Sequence, residues 1–189
     1  MAGTHRTTGL RRAAALLAAA LAGAGCNSRP RAPALRPEAV YQNEQEGFRF
    51  LAPEGWDVFA RTALPPGPVP KEKLLIGYRK PSQEPRPATF EVSCADLPES
   101  ADLTAHQAGP ATAPHPWRPN KPAEPLSVGD VPATRITLAQ GSGPAALTRE
   151  VVAVRRGGRV YFFSLTAAAN DTASRDQARR AVASVVWRS

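Results

Sequence analysis

Short runs of alternating apolar and polar residues follow one another through the first half of the globular part of the chain. The run over residues 47–51 stops at a Pro-Glu-Gly turn signal, and residues 56–60 form a second run, which predicts a β-hairpin. Two more strands are predicted over residues 74–78 and 89–94, each after a proline-rich segment. Prolines cannot donate a hydrogen bond to a sheet, so they mark where these strands end.

The second half of the sequence predicts three further strands and a closing helix. Apolar runs over residues 131–138, 147–155 and 159–166 predict the strands, and Gly157-Gly158 between the last two indicates a tight hairpin. Asn170-Asp171 provides side chains that cap helices, and apolar residues then recur at helical spacing. These residues are Ala178, Ala181, Val182 and Val185.

The stretch between the two groups of strands is the least regular. Residues 102–109 predict a short helix that is capped by Asp102 and ended by Gly109. Residues 110–125 are rich in proline and predict a long loop that contains Trp117. The pattern as a whole predicts an α+β fold, with helices packed on the faces of an antiparallel sheet.

The first 25 residues have the pattern of an export signal. Residues 1–12 contain three arginines and no acidic residue, and residues 13–22 are an unbroken run of Ala and Leu. Such a run rises only about 15 Å as an α-helix, half of the roughly 30 Å hydrocarbon core of a bilayer. We therefore predict a cleaved signal peptide over residues 1–25 and not a permanent membrane span.

Cys26 follows this leader directly. The preceding residues 21–25, Leu-Ala-Gly-Ala-Gly, resemble a bacterial lipobox, in which small residues precede a cysteine whose sulfur takes a diacylglycerol. Gly23 departs from the motif, because a lipobox usually has a larger apolar residue at that position. We predict that Cys26 is lipidated with palmitate-type chains. The alternative is ordinary secretion, with cleavage after residues 22–24.

The remaining sequence divides into a tether and one domain. Residues 26–40 hold the lipidated cysteine and the tether, in which residues 27–37 are rich in Pro and Arg. At about 3.1 Å per residue these 11 residues span roughly 30 Å. Residues 41–188 predict a single globular α+β domain. The predicted location is the cell envelope, with the domain anchored to a membrane by lipid and facing the periplasm or the exterior.

Charge narrows the choice of partner only slightly. The chain has a formal charge of +8, and without the three arginines of the leader it keeps 21 basic and 16 acidic residues, or +5. This balance suits an anionic headgroup or polymer, and equally an ordinary solvated surface. We expect no nucleic acid, because no recognition helix, zinc finger or stacking aromatic pattern accompanies the charge.

Three segments of the domain together resemble the PsbP/Mog1-like superfamily. They are Gly-Phe-Arg-Phe-Leu-Ala-Pro-Glu-Gly-Trp over residues 47–56, Val-Gly-Asp-Val-Pro-Ala-Thr-Arg over residues 128–135, and Ala-Val-Ala-Ser-Val-Val-Trp over residues 181–187. The resemblance implies an α/β/α sandwich around an antiparallel sheet. Relatives include a photosystem accessory subunit and a factor that binds a small GTPase, so the fold assigns no chemistry by itself.

Candidates for catalysis are few. Outside the leader the imidazoles are His106 and His115, and neither lies beside a Gly-x-Ser-x-Gly segment. Their spacing does not match a zinc pair, and no cysteine or acidic cluster accompanies them, so we predict no metal site and no cofactor. Cys94 shares a predicted strand face with Phe90 and Val92, which favours a small buried side chain over a nucleophile.

Four residues are candidates for binding. Trp117 lies in the proline-rich loop, where an exposed aromatic ring is typical of a recognition surface. Arg155, Arg156 and Arg159 surround the tight hairpin and form a basic tip. The alternatives are that the tryptophan packs against the domain and that the arginines form a solvated turn.

These features together predict a non-catalytic, membrane-tethered accessory or binding module of the bacterial cell envelope. Its partner would be an envelope protein or an anionic polymer, and we expect no enzymatic activity. The alternative is a small envelope hydrolase or ligand-binding enzyme that uses His106 or His115 with an acidic partner. A structural subunit of a larger envelope complex is a third interpretation.

Overall fold

A computed structural model describes residues 40–62, 72–82 and 86–188. The leader, Cys26 and the tether as far as residue 39 lie outside the described residues, so their processing stays a prediction. All the described residues belong to one compact unit. Within the described ranges, neither helix has the length and apolar character that crossing a bilayer requires.

The described residues form strands, two α-helices and one turn of 3₁₀ helix, Gly143–Ala145. The helices are α1, Leu103–Ala108, and α2, Thr172–Ala183. The strands are β1 (Val40–Asn43), β2 (Phe48–Leu51), β3 (Asp57–Arg61), β4 (Lys73–Arg79), β5 (Thr89–Ala95), β6 (Arg118–Pro119), β7 (Glu124–Val128), β8 (Val131–Gln140), β9 (Leu147–Arg156), β10 (Arg159–Ala168) and β11 (Val186–Trp187).

The strands form two antiparallel sheets. The large sheet has the order β3-β4-β5-β10-β9-β8-β6, and β7 also pairs with β8. The small sheet has the order β1-β2-β11. The predicted tight hairpin between β9 and β10 is confirmed, with φ of 60° at Gly157 and 78° at Gly158. Two successive left-handed residues match the twist of the flanking strands, and glycine adopts this conformation without steric cost.

The hairpin predicted over residues 47–60 is wrong. Both of its arms are strands, but β2 pairs with β1 and β11 in the small sheet, whereas β3 pairs with β4 at the edge of the large sheet. The turn at Gly55 (φ 76°) carries the chain from one sheet to the other. A turn signal determines where a strand ends, but it does not determine the neighbour with which that strand pairs.

The loop predicted over residues 110–125 is wrong at two places. Arg118–Pro119 forms β6, and Glu124 opens β7; both strands pair with β8. Pro119 and Pro125 are compatible with this pairing because proline is tolerated on edge strands, where a backbone donor faces away from the ladder. The sequence did not predict these two strands, because prolines are typical of loops.

Both predicted helices are confirmed, although α2 ends at Ala183 and Val185 of the predicted apolar stripe lies beyond it. Asp102 caps α1 by accepting hydrogen bonds from the backbone N–H groups of Thr104 and Ala105 at 2.9 and 3.0 Å. Asp171 caps α2 by accepting from the N–H of Ser174 at 3.0 Å. These bonds satisfy donors that the first turn of a helix leaves without an intrahelical partner.

The large sheet separates two apolar clusters. Its α2 face carries Phe90 and Phe163 and is covered by α2 and the small sheet. Its α1 face carries Ile136 and Phe162 and is covered by α1 and Trp117. The expected sandwich is confirmed in part, because the antiparallel sheet and both helices are present. However, α1 has only 6 residues, and the small sheet shares the α2 face.

Candidate functional site

Strand β8 places two polar side chains on the α2 face of the large sheet. Successive side chains of a strand point to opposite faces, and Ile136 and Leu138 pack in the cluster on the α1 face. Arg135 and Thr137 therefore point to the α2 face, where Thr137 lies opposite Glu150 of β9. The alternation of β8 thus places the charged side chain of Arg135 at the edge of the core on the α2 face.

Helix α2 contributes two arginines to the same region. Arg175 and Arg179, about one helical turn apart, lie on the side of the helix that faces β8. Arg179 forms two hydrogen bonds with Glu150, from Nε to Oε1 at 2.8 Å and from Nη2 to Oε2 at 2.7 Å. Arg135 lies 3.3 Å from Glu124 and 3.5 Å from Glu150.

The ion pair between Glu150 and Arg179 joins a buried side chain to a half-exposed one. The Glu150 side chain is only 8% exposed, whereas that of Arg179 is 47% exposed. A buried charge is costly unless it is paired, and the bidentate geometry is the strongest form of this pairing. The hydrogen bonds to Glu150 raise the pKa of Arg179 above its ordinary value.

The space between α2 and strands β7, β8 and β9 is a cleft with two adjoining compartments, which we call the basic cleft. The inner compartment measures about 230 Å³ and the outer about 270 Å³. Arg135, Glu150 and Arg179 line both compartments. The inner walls are mainly apolar and include Phe90, Leu126, Val152, Phe163, Leu165 and Val182. The outer walls are polar and include Asn120, Lys121, Glu124, Thr137, Thr148 and Arg175.

The outer compartment has more cations than carboxylates. Its cations are Lys121, Arg135, Arg175 and Arg179, and its carboxylates are Glu124 and Glu150. Positive charge that is focused in a cleft attracts anions. The basic cleft is therefore suited to a ligand with one anionic end and one apolar end.

Arg159, one of the arginines predicted at the hairpin tip, is bonded within the domain. Its Nη1 lies 2.6 Å from Glu46 Oε1, and its Nε lies 3.1 Å from Asp96 Oδ1. Glu46 is buried and also accepts a hydrogen bond from the Tyr161 hydroxyl at 2.6 Å. Burial and this bond raise the pKa of Tyr161. Arg159 thus compensates a buried charge, and its predicted role in binding stays a prediction.

The other two hairpin arginines also contact the domain. Arg155 donates to three backbone carbonyls in the segment before α1, at 3.0 to 3.5 Å. The Arg156 guanidinium lies 5.2 Å from the centre of the Trp187 ring and donates to the carbonyl of Arg188. These contacts already use donors from each side chain. The predicted role of both arginines in binding an external partner stays a prediction.

Trp117 packs on the α1 face, opposite the basic cleft. The Arg149 guanidinium lies 4.4 Å from the centre of its ring, which is cation–π geometry. Arg149 also donates to Thr166 Oγ1 at 3.3 Å. The ring is partly buried against the cluster that contains Phe162. The described contacts do not bring Trp117 together with the hairpin arginines, and its binding role stays a prediction.

His106 is anchored on α1 and has an acidic neighbour. Its Nε2 lies 2.8 Å from Glu72 Oε2, and its ring stacks on Phe162 with centres 5.3 Å apart. Glu72 also accepts hydrogen bonds from Ser93 Oγ at 2.6 Å and from Gln107 Nε2 at 2.9 Å. The Ser93 hydroxyl therefore points to the carboxylate and not to the imidazole. Ser93 and His106 therefore do not form a nucleophile–base pair, and the contacts of Glu72 join α1 to β5.

The remaining candidates have simple surroundings. The backbone carbonyl of His115 accepts from Gln140 Nε2 at 2.5 Å. Cys94 is a small buried side chain, as predicted, and burial raises the pKa of its thiol to about 11. No cluster of three or more His, Cys, Asp or Glu side chains suited to a metal occurs in the part of the chain that the structure describes.

Comparison with known proteins identifies the fold. The chain matches no protein-family profile and no curated protein. It is similar to the solution structure of cyanobacterial PsbP (CyanoP) from Synechocystis, with a TM-score of 0.53 and 16% identity over 78% of this chain and 91% of that one. The chain has a PsbP-like fold. A protein of unknown function from Pseudomonas aeruginosa has a TM-score of 0.49 and 17% identity over 71% of this chain and 98% of that one.

The basic cleft of this PsbP-like domain was not predicted from the sequence. One signal was available: polar residues alternate with apolar residues in Arg135-Ile136-Thr137-Leu138, in a segment predicted to be a strand. This alternation indicates a polar stripe on one face. The partners of that stripe, Glu150 and Arg179, come from a neighbouring strand and from a helix across the sheet, and no local pattern connects them.

Proposed function

We propose that this chain is a non-catalytic accessory module of the bacterial cell envelope, and that the basic cleft binds its partner. The single observation that carries the proposal is the combination of an apolar inner wall with a rim of cations in the cleft beside α2. Sites with this composition orient a ligand through a few polar contacts and retain it through apolar burial. In the proposed architecture, α1 and α2 are the outer layers of an α/β/α sandwich.

The chemistry of the basic cleft favours binding over catalysis. Glu150, its buried carboxylate, directs both oxygens at Arg179. A general base needs a lone pair that faces the substrate. Arginine keeps its proton at any physiological pH, so the cations of the cleft are suited to holding charge and not to transferring protons.

Tethering is the second part of the proposal. The basic leader, its short apolar run and the small residues before Cys26 support a lipid anchor on that cysteine. The proline- and arginine-rich segment that follows would hold the domain at the membrane surface. The resemblance to a superfamily that includes a photosystem accessory subunit supports an accessory role for the domain.

Mass spectrometry of the protein isolated from bacterial cells tests the tether. The expected amino terminus is Cys26 with a diacylglycerol and without residues 1–25. A Cys26→Ala variant, which keeps Cys94 as the matched thiol, is expected to lose the lipid and leave the membrane fraction. Recovery of the initiator methionine, or of an unmodified sulfur at position 26, would contradict this part of the proposal.

Photocrosslinking in cells tests the cleft. A photoreactive amino acid at position 120, which lines the outer compartment and is not one of its cations, is expected to capture an envelope component. The same amino acid at position 180, on the exposed side of α2, provides the matched control, and position 117 tests Trp117 as a second contact. The adduct should disappear when Ala183→Phe fills the inner compartment. Equal labelling from positions 120 and 180 would refute the cleft as the binding site.

The contact between His106 and Glu72 favours a second candidate function, a small envelope hydrolase that uses this pair. The imidazole is oriented by a carboxylate, as a general base is in many hydrolases. The test is hydrolysis of ester and amide model substrates by the wild type and by His106→Gln. Activity that the wild type shows and His106→Gln lacks would favour the hydrolase over the accessory module.

A further inference from the structure

We propose that the ligand of the basic cleft is a small anionic amphiphile, with one carboxylate or phosphate group attached to a short apolar body. This inference rests on the proposed function and names the chemical class of the ligand. The anionic group would lie in the outer compartment, between Lys121 and Arg175. The apolar body would lie in the inner compartment, against Phe90, Phe163 and Val182.

Two cations in the outer compartment are available to an external anion. The carboxylates of the cleft are already bonded, Glu150 to Arg179 and Glu124 to Arg135. Lys121 and Arg175 line the same compartment and form no ion pair within the described part of the chain. Arg175 uses one nitrogen, Nη2, to donate to the carbonyl of Ala169 at 3.0 Å.

The charge balance selects an anion over a cation. A cationic ligand would have to compete with Arg179 for Glu150, and a bidentate arginine pair is difficult to displace. An anion meets Lys121 and Arg175 without breaking an existing ion pair. Its charge-assisted hydrogen bonds to these residues would be stronger than those between neutral groups.

The inner compartment selects a short apolar body. Its volume of about 230 Å³ lies below the roughly 300–1,000 Å³ of sites that enclose a drug-sized molecule. A single short chain or ring is therefore expected there. Three charged side chains, Arg135, Glu150 and Arg179, separate this compartment from the outer one, so the ligand would lie across them with its charge outward.

Equilibrium binding to the full chain carrying Cys26→Ala, which removes the predicted lipid anchor, tests the inference. Octanoate and octyl phosphate are the probes. Octanol lacks the charge, octylammonium reverses it, and inorganic phosphate lacks the apolar body. The two anionic amphiphiles are expected to bind at least about tenfold more tightly than each of the other three. Preference for octanoate indicates a free fatty acid, and preference for octyl phosphate indicates a lipid headgroup.

Variants locate the binding. Lys121→Gln combined with Arg175→Gln is expected to weaken octanoate binding at least about tenfold, while Arg180→Gln, which removes a charge outside the cleft, leaves it unchanged. Ala183→Phe, at an exposed position that lines the inner compartment, is expected to abolish binding; circular dichroism checks that each variant is folded. Octanol binding as tightly as octanoate, or equal loss with Arg180→Gln, overturns the inference. Capture from position 120 without binding of either anionic probe overturns the ligand class and leaves the proposed function standing.

Discussion

Arg179 of α2 and Glu150 of β9 meet through two hydrogen bonds of 2.8 and 2.7 Å, so that the helix is fastened to the sheet at the rim of the basic cleft. The contact is asymmetric, because the carboxylate is buried and the guanidinium is half exposed. Loss of the arginine would leave the buried carboxylate with the weaker contact to Arg135, at 3.5 Å. The pair therefore contributes to stability as well as to the shape of the cleft.

Arg179→Gln is expected to lower the free energy of unfolding by about 2 kcal/mol, because a buried carboxylate that loses its main partner keeps its desolvation cost. Urea denaturation followed by circular dichroism measures this change. Arg180→Gln, at the exposed neighbouring position, is the control and should change stability by less than about 0.5 kcal/mol. Equal effects of the two variants would show that the pair contributes nothing measurable.

Asp171→Ala is expected to destabilise the domain by about 1 kcal/mol, because the N-cap of α2 loses its acceptor. The Asp171 carboxylate also accepts from the Ser174 hydroxyl at 2.6 Å and lies 3.6 Å from Lys80. Asp171→Asn keeps a capping oxygen and should retain most of the stability. Thermal unfolding of the wild type and the two variants measures the order of their stabilities. If Asp171→Ala is as stable as the wild type, the capping role is contradicted.

The stability that the Asp171 charge contributes is expected to disappear in acid. Desolvation raises the pKa of this carboxyl, but the hydrogen bonds from Ser174 and the charge of Lys80 outweigh it, and the net pKa is lowered from 3.8. A lowered folded pKa means that the contribution is complete above the unfolded value and is lost as the pH falls through the folded one. Wild type and Asp171→Asn should therefore converge in stability below about pH 3.8. A stability difference that does not change with pH would contradict this linkage.

Gly77→Ala is expected to destabilise the edge of the large sheet by about 1 kcal/mol, because a methyl group there displaces the ring of Phe59. A Cβ at this position would lie 2.5 Å from Phe59 Cζ. In a Phe59→Ala background the same substitution should be neutral or stabilising, since alanine suits a strand better than glycine does. Additive effects of the two substitutions in a double-mutant cycle would show that the residues are not coupled.

Cys94 is expected to be unreactive in the folded protein. Its side chain is fully buried, and burial raises the thiol pKa to about 11, so little thiolate is present at mildly alkaline pH. Labelling with a thiol reagent, in the chain carrying Cys26→Ala, should proceed only after denaturant is added. Rapid labelling under native conditions would contradict this prediction.

Local signals explain why several elements were predictable. The β9–β10 hairpin depends on Gly157 and Gly158, and each helix depends on a capping aspartate that lies next to it in the sequence. These interactions join residues within a few positions of one another, so the residue types are sufficient to indicate the structure. The resemblance to the PsbP/Mog1-like superfamily also rests on short contiguous motifs. It predicted the PsbP-like fold.

Strand pairing was harder to predict. The residues before Trp56 indicated a turn. They did not indicate that β2 pairs with β11 in the small sheet, where Arg49 lies opposite Val186 from the other end of the domain sequence. The strands β6 and β7 were also predicted as loop, because each contains a proline. Pairing between distant segments depends on which faces are buried together, and a local pattern contains no information about that choice.

The sequence by itself determined the export-signal pattern, the strands and helices that local signals mark, and the buried position of Cys94, because each depends on neighbouring residues. Tertiary structure alone decided the basic cleft. Arg135, Glu150 and Arg179 come from three separate elements, and they meet only because α2 packs across one face of the sheet. Packing of distant segments likewise directed the hairpin arginines to acceptors within the domain.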